Sequence, residues 1–379
     1  MSTLNLRDQF IKKLSKVGAL AHNGFIRVIN QIMIHHNGPI LKFVLFIPNI
    51  VLDSFQEVDQ WMLILSRNGV RELIIGNSNQ IYPIPSSVFS CLEMRTLRLY
   101  NCIFKPPLEF QGFLNLEIII LKRVNFGGYL GGTVINLPHL TKLMLVECDN
   151  VNNFNIKAEK LQTLKVYSCP DAMLLRFLHS EHLDVVHICF LKRIEDFLRV
   201  ERFSLATMLF NLPNLTHFTI DGYFLKFLAA EKFPKWLPCA VKGLKKLEFK
   251  SFSVGDLDQV QGALCIIRNS PNLKELRVTH MQMGHETDLE LTSNYLESPD
   301  CLHQTLFMLQ TVEMASLEGS RPELLFIKLL LDHSPHLENM IIRPRATADA
   351  QKVLNIAKAV MLFPRASANA KMVYLDPQP

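Results

Sequence analysis

The chain has no run of roughly 18 uninterrupted apolar residues, the length a membrane-spanning helix needs. Its start, MSTLNLRDQFIKKLSK, is too charged for the apolar region of a secretory signal peptide. Both absences point to an intracellular protein, cytoplasmic or nuclear, with no membrane as partner. Charge of one sign is also missing: 40 lysines and arginines face 35 acids, and the net +5 is spread along the chain without a basic stripe alternating with aromatics. Nucleic acid is therefore not an expected partner. The eight cysteines lie scattered, mostly inside apolar phrases, which fits buried reduced thiols rather than a disulfide framework.

Catalytic signatures are equally scarce. No CxxC pair, HExxH, GxSxG, GxGxxG or P-loop occurs, so the common metal, nucleophile and phosphate-cradle arrangements are excluded and the chain reads as a non-enzyme with no cofactor and no metal. Three stretches come near. His35-His36 lacks a third ligand, and if it lies in a strand its two side chains point to opposite faces, so it reads as a solvent-facing pair in a linker. FGGYLGG (126–132) has no lysine or threonine at the P-loop places and reads as a turn. KGLKKLEFK (242–250) puts Lys246 and Lys250 on one outward strand face, where they could hold an anion or merely keep the strand soluble.

What the chain does contain is a phrase, L-x-x-L-x-L-x-x-C, whose copies begin at Val70, Met94, Leu116, Leu140, Leu161, Leu183, Leu215, Leu244 and Leu273. MRTLRLYNC (94–102), LTKLMLVEC (140–148) and LQTLKVYSC (161–169) are the clearest. Successive starts lie 21 to 32 residues apart, which is the period of a leucine-rich repeat with insertions in its later copies. The spacing has a physical cause. Residues two apart in a strand share a face, so Leu143 and Leu145 point inward together while Lys142, Met144 and Val146 point out. One repeat cannot cover its own apolar face, whereas stacked repeats bury a continuous column. The ninth place should turn inward as the strand ends, where Ser78, Cys102, Cys148 or Cys169 fits a tight bend; Val124, Leu191, Tyr223, Phe252 and Met281 make that ladder imperfect. The expected fold is an α/β leucine-rich-repeat solenoid, a curved parallel sheet with an irregular to helical convex side.

Later turns gain true helices. Asp256 caps a helix with apolar Leu257, Val260, Leu264 and Ile267 before Ser270-Pro271, and SRPELLFIKLLLDHSP repeats that plan with Pro322 in its first turn. Between them, MGHETDLELTSNYLESPD (283–300) is polar and acidic without apolar periodicity, and is expected to be a mobile loop at a module boundary. The C-terminal stretch reads as a helix capped near Thr347 or Asp349, a break at Pro364 and a strand through Met372, Val373, Tyr374 and Leu375. That unit would close the open end of the array.

Laid side by side, the strands place their outward residues in rows on the concave face. One row runs Arg98, Ile120, Met144, Lys165, His187, Thr219, Glu248, Arg277, and the next Tyr100, Lys122, Val146, Tyr167, Cys189, Asp221, Lys250, Thr279. The later half is charged. The earlier half gathers Ile118, Ile120, Met144 and Val146, rimmed by Tyr100 and Tyr167, which is the composition of a partner-binding interface core.

HQTLFMLQTVEMASLEGSRPELLFIKLLLDHSPHLENMII followed by FPRASANAKMVYLDP is similar to the signature of the FBD domain, and HNGPILKFVLFIP (36–48) resembles the segment that precedes the repeats in the plant F-box proteins with leucine-rich repeats and a C-terminal FBD domain. The resemblance covers most of the chain. It implies a division into an N-terminal helical or linker segment (1–37), leucine-rich repeats (38–299) and an FBD domain (300–379). It also implies substrate selection for a cullin-based ubiquitin ligase. The F-box itself, with its leucine-proline start and serine-leucine-serine-x-arginine-tryptophan phrase, has no counterpart here. The expectation is that this motif is missing upstream of Met1, which puts binding of the ligase adaptor in doubt. Two functions stay open: a substrate-recognition module of an F-box-type receptor, or a stand-alone scaffold or competitor with no ligase connection. Both would bind a protein on the concave face.

Overall fold

The computed structural model describes residues 3–7, 10–13, 22–48, 51–52, 54–128, 134–169, 177–178, 180–190, 204–229, 233–234, 236–238, 240–279, 286–299, 301–302 and 304–376. They pack as two compact units, one built from Met1–His182 and the other chiefly from Leu183–Pro379, and each is organised around a parallel sheet.

In the first unit, β1 (Thr3–Leu6), β2 (Lys42–Ile47), β3 (Glu72–Asn77), β5 (Thr96–Ile103), β6 (Ile118–Asn125), β8 (Lys142–Val146) and β10 (Thr163–Tyr167) lie side by side in that order. Short β4 (Tyr82–Pro83) extends β5, and β7 (Ile135–Asn136) pairs with β9 (Ile156–Lys157). The helices α1 (His22–His35) and α2 (Gln56–Arg67) occupy the two longest crossovers. Trp61 on α2, fully buried, donates its indole N–H to Asn30 Oδ1 of α1 at 2.7 Å, while buried Tyr82 donates to Asp59 Oδ1 at 2.7 Å.

The phrase sets the register. Leu73, Leu97, Ile119, Leu143 and Leu164 stand opposite one another strand by strand, as do Ile75, Leu99, Leu121, Leu145 and Val166. None of the ten is more than 3% exposed. Burying such a side chain contributes about 1.5–3 kcal/mol, so the two columns are the main counterweight to the ordering of the turns around them. Phe43 and Leu45 join the same columns from ILKFVLFIP. The array therefore starts one repeat earlier than Val70, and the 1–37 segment, expected to be helical or linker, also contributes the edge strand β1.

How each strand ends depends on its eighth place. Asn101, Arg123, Glu147, Ser168, Ser251 and Ser316 all hold that place, and all have φ between 41° and 62°. This left-handed residue swings the ninth side chain inward, so Cys102, Val124, Cys148, Cys169, Phe252 and Leu317 are buried to 1% exposure or less. The first two copies lack the kink. There the pleat simply continues, the eighth residues Ile47 and Asn77 face in, and Ser78, expected inside, is exposed. The seven cysteines among the described residues are free and buried, and burial pushes the Cys102 thiol up to about 12. Behind this ladder runs a feature that strand spacing does not reveal, a chain of phenylalanines: Phe89 to Phe104 at 5.2 Å, Phe104 to Phe126 at 5.9 Å and Phe126 to Phe154 at 4.6 Å between ring centres.

In the second unit β11 (Val185–Cys189), β12 (His217–Asp221), β13 (Lys246–Lys250), β14 (Glu275–Val278), β15 (Thr311–Leu317), β16 (Asn339–Pro344) and β17 (Lys371–Tyr374) continue the same design. Crossovers carry α3 (Leu205–Phe210), α4 (Gly222–Leu228), α5 (Leu257–Arg268), α6 (Glu286–Glu297), α7 (Arg321–His333) and α8 (Ala350–Met361). The caps read from the sequence are present: Asp256 accepts from Gln259 N, Asp349 accepts from Lys352 N, and Ser320 and Glu323 form a capping box with Pro322 in the first turn. LQTVEMASL (309–317) and LENMII (337–342) repeat the phrase, so β15 and β16 extend the ladder of β14 in register.

One expectation fails here. Residues 286–297 of the acidic stretch form helix α6 rather than a mobile loop. Its inward side is written in small polar residues. Thr292 is fully buried and donates its hydroxyl to Gly255 O at 3.1 Å, Ser293 donates to its own helix at Leu289 O, and Leu296 is the apolar member. Hydroxyls that bond to backbone carbonyls let a polar helix pack, and they hide its periodicity from a hydrophobicity reading.

Ser316 is the residue skipped where the β15–β16 register shifts, at φ 62°. Ser316→Gly should raise the unfolding free energy by up to about 1 kcal/mol, and Ser316→Val should lower it by more than about 1 kcal/mol, as read by denaturant titration. Glu323 is buried with its carboxylate accepting the Gly319 N–H at 2.7 Å and the Ser320 N–H at 2.8 Å, and desolvation holds its carboxyl above the usual carboxylate range despite those bonds. A raised folded-state value means that stability falls as pH rises through it. The melting temperature of Glu323→Gln relative to the parent should accordingly climb from acid toward neutral pH and then level off. Removing residues 301–379 would strip β15 from β14 and expose Leu276 and Val278, so the remainder should aggregate; a soluble, cooperatively unfolding fragment 1–299 would identify the removed part as an independent domain.

Candidate functional site

The outward places of the first unit's strands form three rows, and the register is the one expected from the phrase. Ile74, Arg98, Ile120, Met144 and Lys165 are successive partners, as are Gly76, Tyr100, Lys122, Val146 and Tyr167. Thr96, Ile118, Lys142 and Thr163 make the third. The run of isoleucines at 118–120 could have been read in either phase; Ile119 and Leu121 face in, and Ile118 and Ile120 face out. Tyr100, Ile118, Ile120, Met144, Val146 and Tyr167 are all half-buried and lie on one face of four neighbouring strands.

The patch has a defined border toward β1. Val44 and Ile74 occupy outward places yet are 2% and 3% exposed. Phe46 accounts for part of the cover: its ring lies across Gly76, where an added Cβ would come within 2.6 Å of Phe46 Cε1. The ring also packs against Tyr100, centres 5.3 Å apart and planes tilted by 46°, while the Arg7 guanidinium sits 4.8 Å from the centre of Phe46. Aromatic pairs and cation–π contacts each contribute about 0.5–1.5 kcal/mol. The result is that Tyr100 is held in place before any partner arrives, and the uncovered apolar floor begins at Ile118 and Ile120.

The charges on the two units' open faces are handled differently. In the second unit, His187, Thr219, Glu248 and Arg277 form the expected row, and the row continues to Glu313. There Lys246 meets Glu275 at 2.9 Å, Arg277 meets Glu313 at 2.8 Å, Arg343 reaches the other Glu313 oxygen at 3.6 Å, and Thr219 donates to Glu248 at 3.2 Å. A hollow of about 290 Å³ lies over these groups, and its charged lining is engaged with itself. Of the two readings of Lys246 and Lys250, an anion site or a strand face kept soluble, the pairing of Lys246 with Glu275 on β14 favours the second. Cys189 and Asp221, expected to point outward, are fully buried. Strand β12 runs straight into α4, and Asp221 serves as that helix's N-cap by accepting from Phe224 N at 2.9 Å.

In the first unit the outward places from β5 to β10 carry Arg98, Lys122, Lys142 and Lys165 and no acid. Among the described residues, Arg98, Lys122 and Lys142 have no ion pair or side-chain hydrogen bond, and the Nε of Arg98 is buried without an acceptor. No group of three or more histidine, cysteine, aspartate or glutamate side chains that could hold a metal ion exists among the described residues. His35 ends helix α1, with Nδ1 2.8 Å from Gln31 O, rather than lying in a strand. Residues 129–132 of the glycine-rich stretch lie outside the described residues. No helix among the described residues is long and apolar enough to cross a membrane.

Comparison of the sequence with known protein families agrees with the repeat phrase. The chain is 27% identical over 373 residues to the F-box/FBD/LRR-repeat protein At1g13570 of Arabidopsis thaliana, covering 94% of this chain and 85% of that one. It is 21% identical over 379 residues to the F-box/FBD/LRR-repeat protein At5g56420 of the same plant, covering 92% and 85%. A solved leucine-rich-repeat protein of Leptospira interrogans aligns over 88% of this chain and 89% of its own, at a TM-score of 0.32 and 13% identity. The model of the At1g61320/AtMIF1-type LRR domain matches residues 32–356, and the chain belongs to that family of leucine-rich-repeat proteins.

Proposed function

We propose that this chain is a protein-recognition module whose open face across β5, β6, β8 and β10 binds a protein partner, in the role of the substrate-binding part of an F-box-type ubiquitin-ligase receptor. The observation that carries the reading is the half-buried cluster of Ile118, Ile120, Met144 and Val146 beside Tyr100 and Tyr167. Strand side chains facing water are ordinarily polar, whereas a contiguous aliphatic group with aromatic neighbours matches the core of an interface. Names of the relatives support the ligase connection, and the family's repeat architecture supports binding rather than catalysis. The same reading assigns 38–299 to the repeats, 300–379 to an FBD domain and the protein to the cytoplasm or nucleus.

A second reading is a scaffold or competitor without a ligase connection. The F-box pattern, a leucine-proline start followed by a serine-leucine-serine-x-arginine-tryptophan phrase, does not occur in these 379 residues. Trp61 cannot stand in for the missing tryptophan, because it is 1% exposed and bonded to Asn30. Co-purification with the ligase adaptor separates the two: this chain is expected to bring down none, and a robust complex would decide for the receptor.

Replacing Ile120 and Met144 together with glutamate should abolish capture of protein partners from a plant extract while leaving the melting temperature close to that of the parent, since both side chains face out. Loss of folding, or undiminished capture by a folded double variant, would send the search for the binding site elsewhere.

A further inference from the structure

Resting on the recognition face just proposed, we infer the chemistry of what it takes: an acidic peptide segment in which carboxylates flank an aliphatic residue, with Arg98 reading one carboxylate and Lys122 and Lys142 the others. The apolar floor alone would accept any hydrophobic side chain. The charges around it would not. Arg98 stands directly beside Ile120 in the register, Lys122 lies two places along the same strand, and Lys142 lies beside Ile118 and two places from Met144. With Lys165 beside Met144, four cations thus surround Ile120 and Met144, and the outward places from β5 to β10 hold no carboxylate.

The contrast with the second unit gives this arrangement its meaning. Lys246, Arg277 and Arg343 sit on an equivalent sheet face, and each is answered by Glu275 or Glu313 from the chain itself. Arg98, Lys122 and Lys142 are answered by nothing among the described residues. The Nε–H of Arg98 is buried without an acceptor, as is that of Arg343, so the difference between the two faces lies in the carboxylate that Arg343 has and Arg98 lacks among the described residues. A carboxylate placed against the terminal nitrogens of Arg98, which unlike its Nε are not buried without a partner, would be bound through a charge-assisted pair. Spacing favours a peptide over a small anion. Side chains on one side of an extended segment recur at about 6.8 Å and neighbouring strands lie about 4.8 Å apart, so acids two positions either side of an aliphatic residue reach cations spaced as these are. Tyr100, held by Phe46, supplies a fixed wall at one end.

The test uses the full chain and four fluorescein-labelled synthetic peptides of equal length, repeats of Glu-Ser-Leu-Ser (Glu–Leu), Lys-Ser-Leu-Ser (Lys–Leu), Glu-Ser-Ser-Ser (Glu–Ser) and phosphoserine-Ser-Leu-Ser (phosphoserine–Leu), which keep the charged and aliphatic residues on one side of an extended segment, followed by anisotropy at low and high salt. The Glu–Leu peptide should bind best and weaken with salt. Arg98→Gln should weaken it about tenfold or more, as should Lys122→Gln with Lys142→Gln, while Lys358→Gln on the exposed side of α8 should change nothing. Melting curves check that each variant is folded, and the lysine pair serves if Arg98→Gln does not fold. Preference for the Lys–Leu peptide, lost on replacing Ile120 and Met144 with glutamate, would overturn the acidic partner and leave the recognition face standing. Binding of the phosphoserine peptide alone would overturn carboxylate as the anion. If no peptide responds to Ile120 and Met144, both the inference and the face fall together.

Discussion

A single repeat of this chain has an apolar face that it cannot cover, and every other feature of the structure is built on the way that face is buried. Parallel neighbours in matched register place the fourth and sixth residues of each phrase against the same residues of the next, from Leu73 through Leu164 in one unit and from Val186 through Met340 in the other. Slipping one strand by a single residue would turn its leucines into water and its lysines into the core. The ladder is therefore both the source of cohesion and the device that fixes which side chains face out.

Where strands end, cohesion needs a bend as well as a column. Residues such as Arg123 and Glu147 accept a left-handed backbone that their side chains do not favour, because the turn they make brings the ninth residue into the core. The gain is cumulative: Cys148 Sγ lies 3.4 Å from Leu121 O, its backbone N–H meets Cys169 Sγ at 3.4 Å, and the phenylalanine chain packs behind them. Strain at one residue per turn is offset by burial in that turn and the next.

Because inward places carry the stability, outward places are free to differ, and the two units use that freedom in opposite ways. The second unit closes its open face with its own ion pairs, which leaves a hydrated, self-neutralised surface. Across β5, β6 and β8 the first leaves aliphatic side chains uncovered and Arg98, Lys122 and Lys142 without an ion-pair partner among the described residues, and it stiffens one edge with Arg7, Phe46 and Tyr100. A face with unmet hydrophobic and electrostatic capacity is one on which a partner gains free energy by docking.

The amino-acid sequence by itself determined the repeat, its register and the outward set Tyr100, Ile118, Ile120, Met144, Val146 and Tyr167, because strand geometry has a period of two and the leucine spacing anchors its phase. It determined the helix caps for the same local reason, as at Asp256 and Asp349. The tertiary structure alone decided which outward residues stay uncovered. Val44 and Ile74 carry the same pattern as Ile120, yet Phe46 lies across the neighbouring Gly76, and the contact joins residues 30 positions apart. It also decided that Lys246 is neutralised and Arg98 is not, that Asp221 caps a helix instead of facing solvent, and that α6 packs through Thr292 and Ser293. Each of these depends on what stands beside a residue in space, and periodicity along the chain carries no information about that neighbour's charge, size or hydrogen bonds.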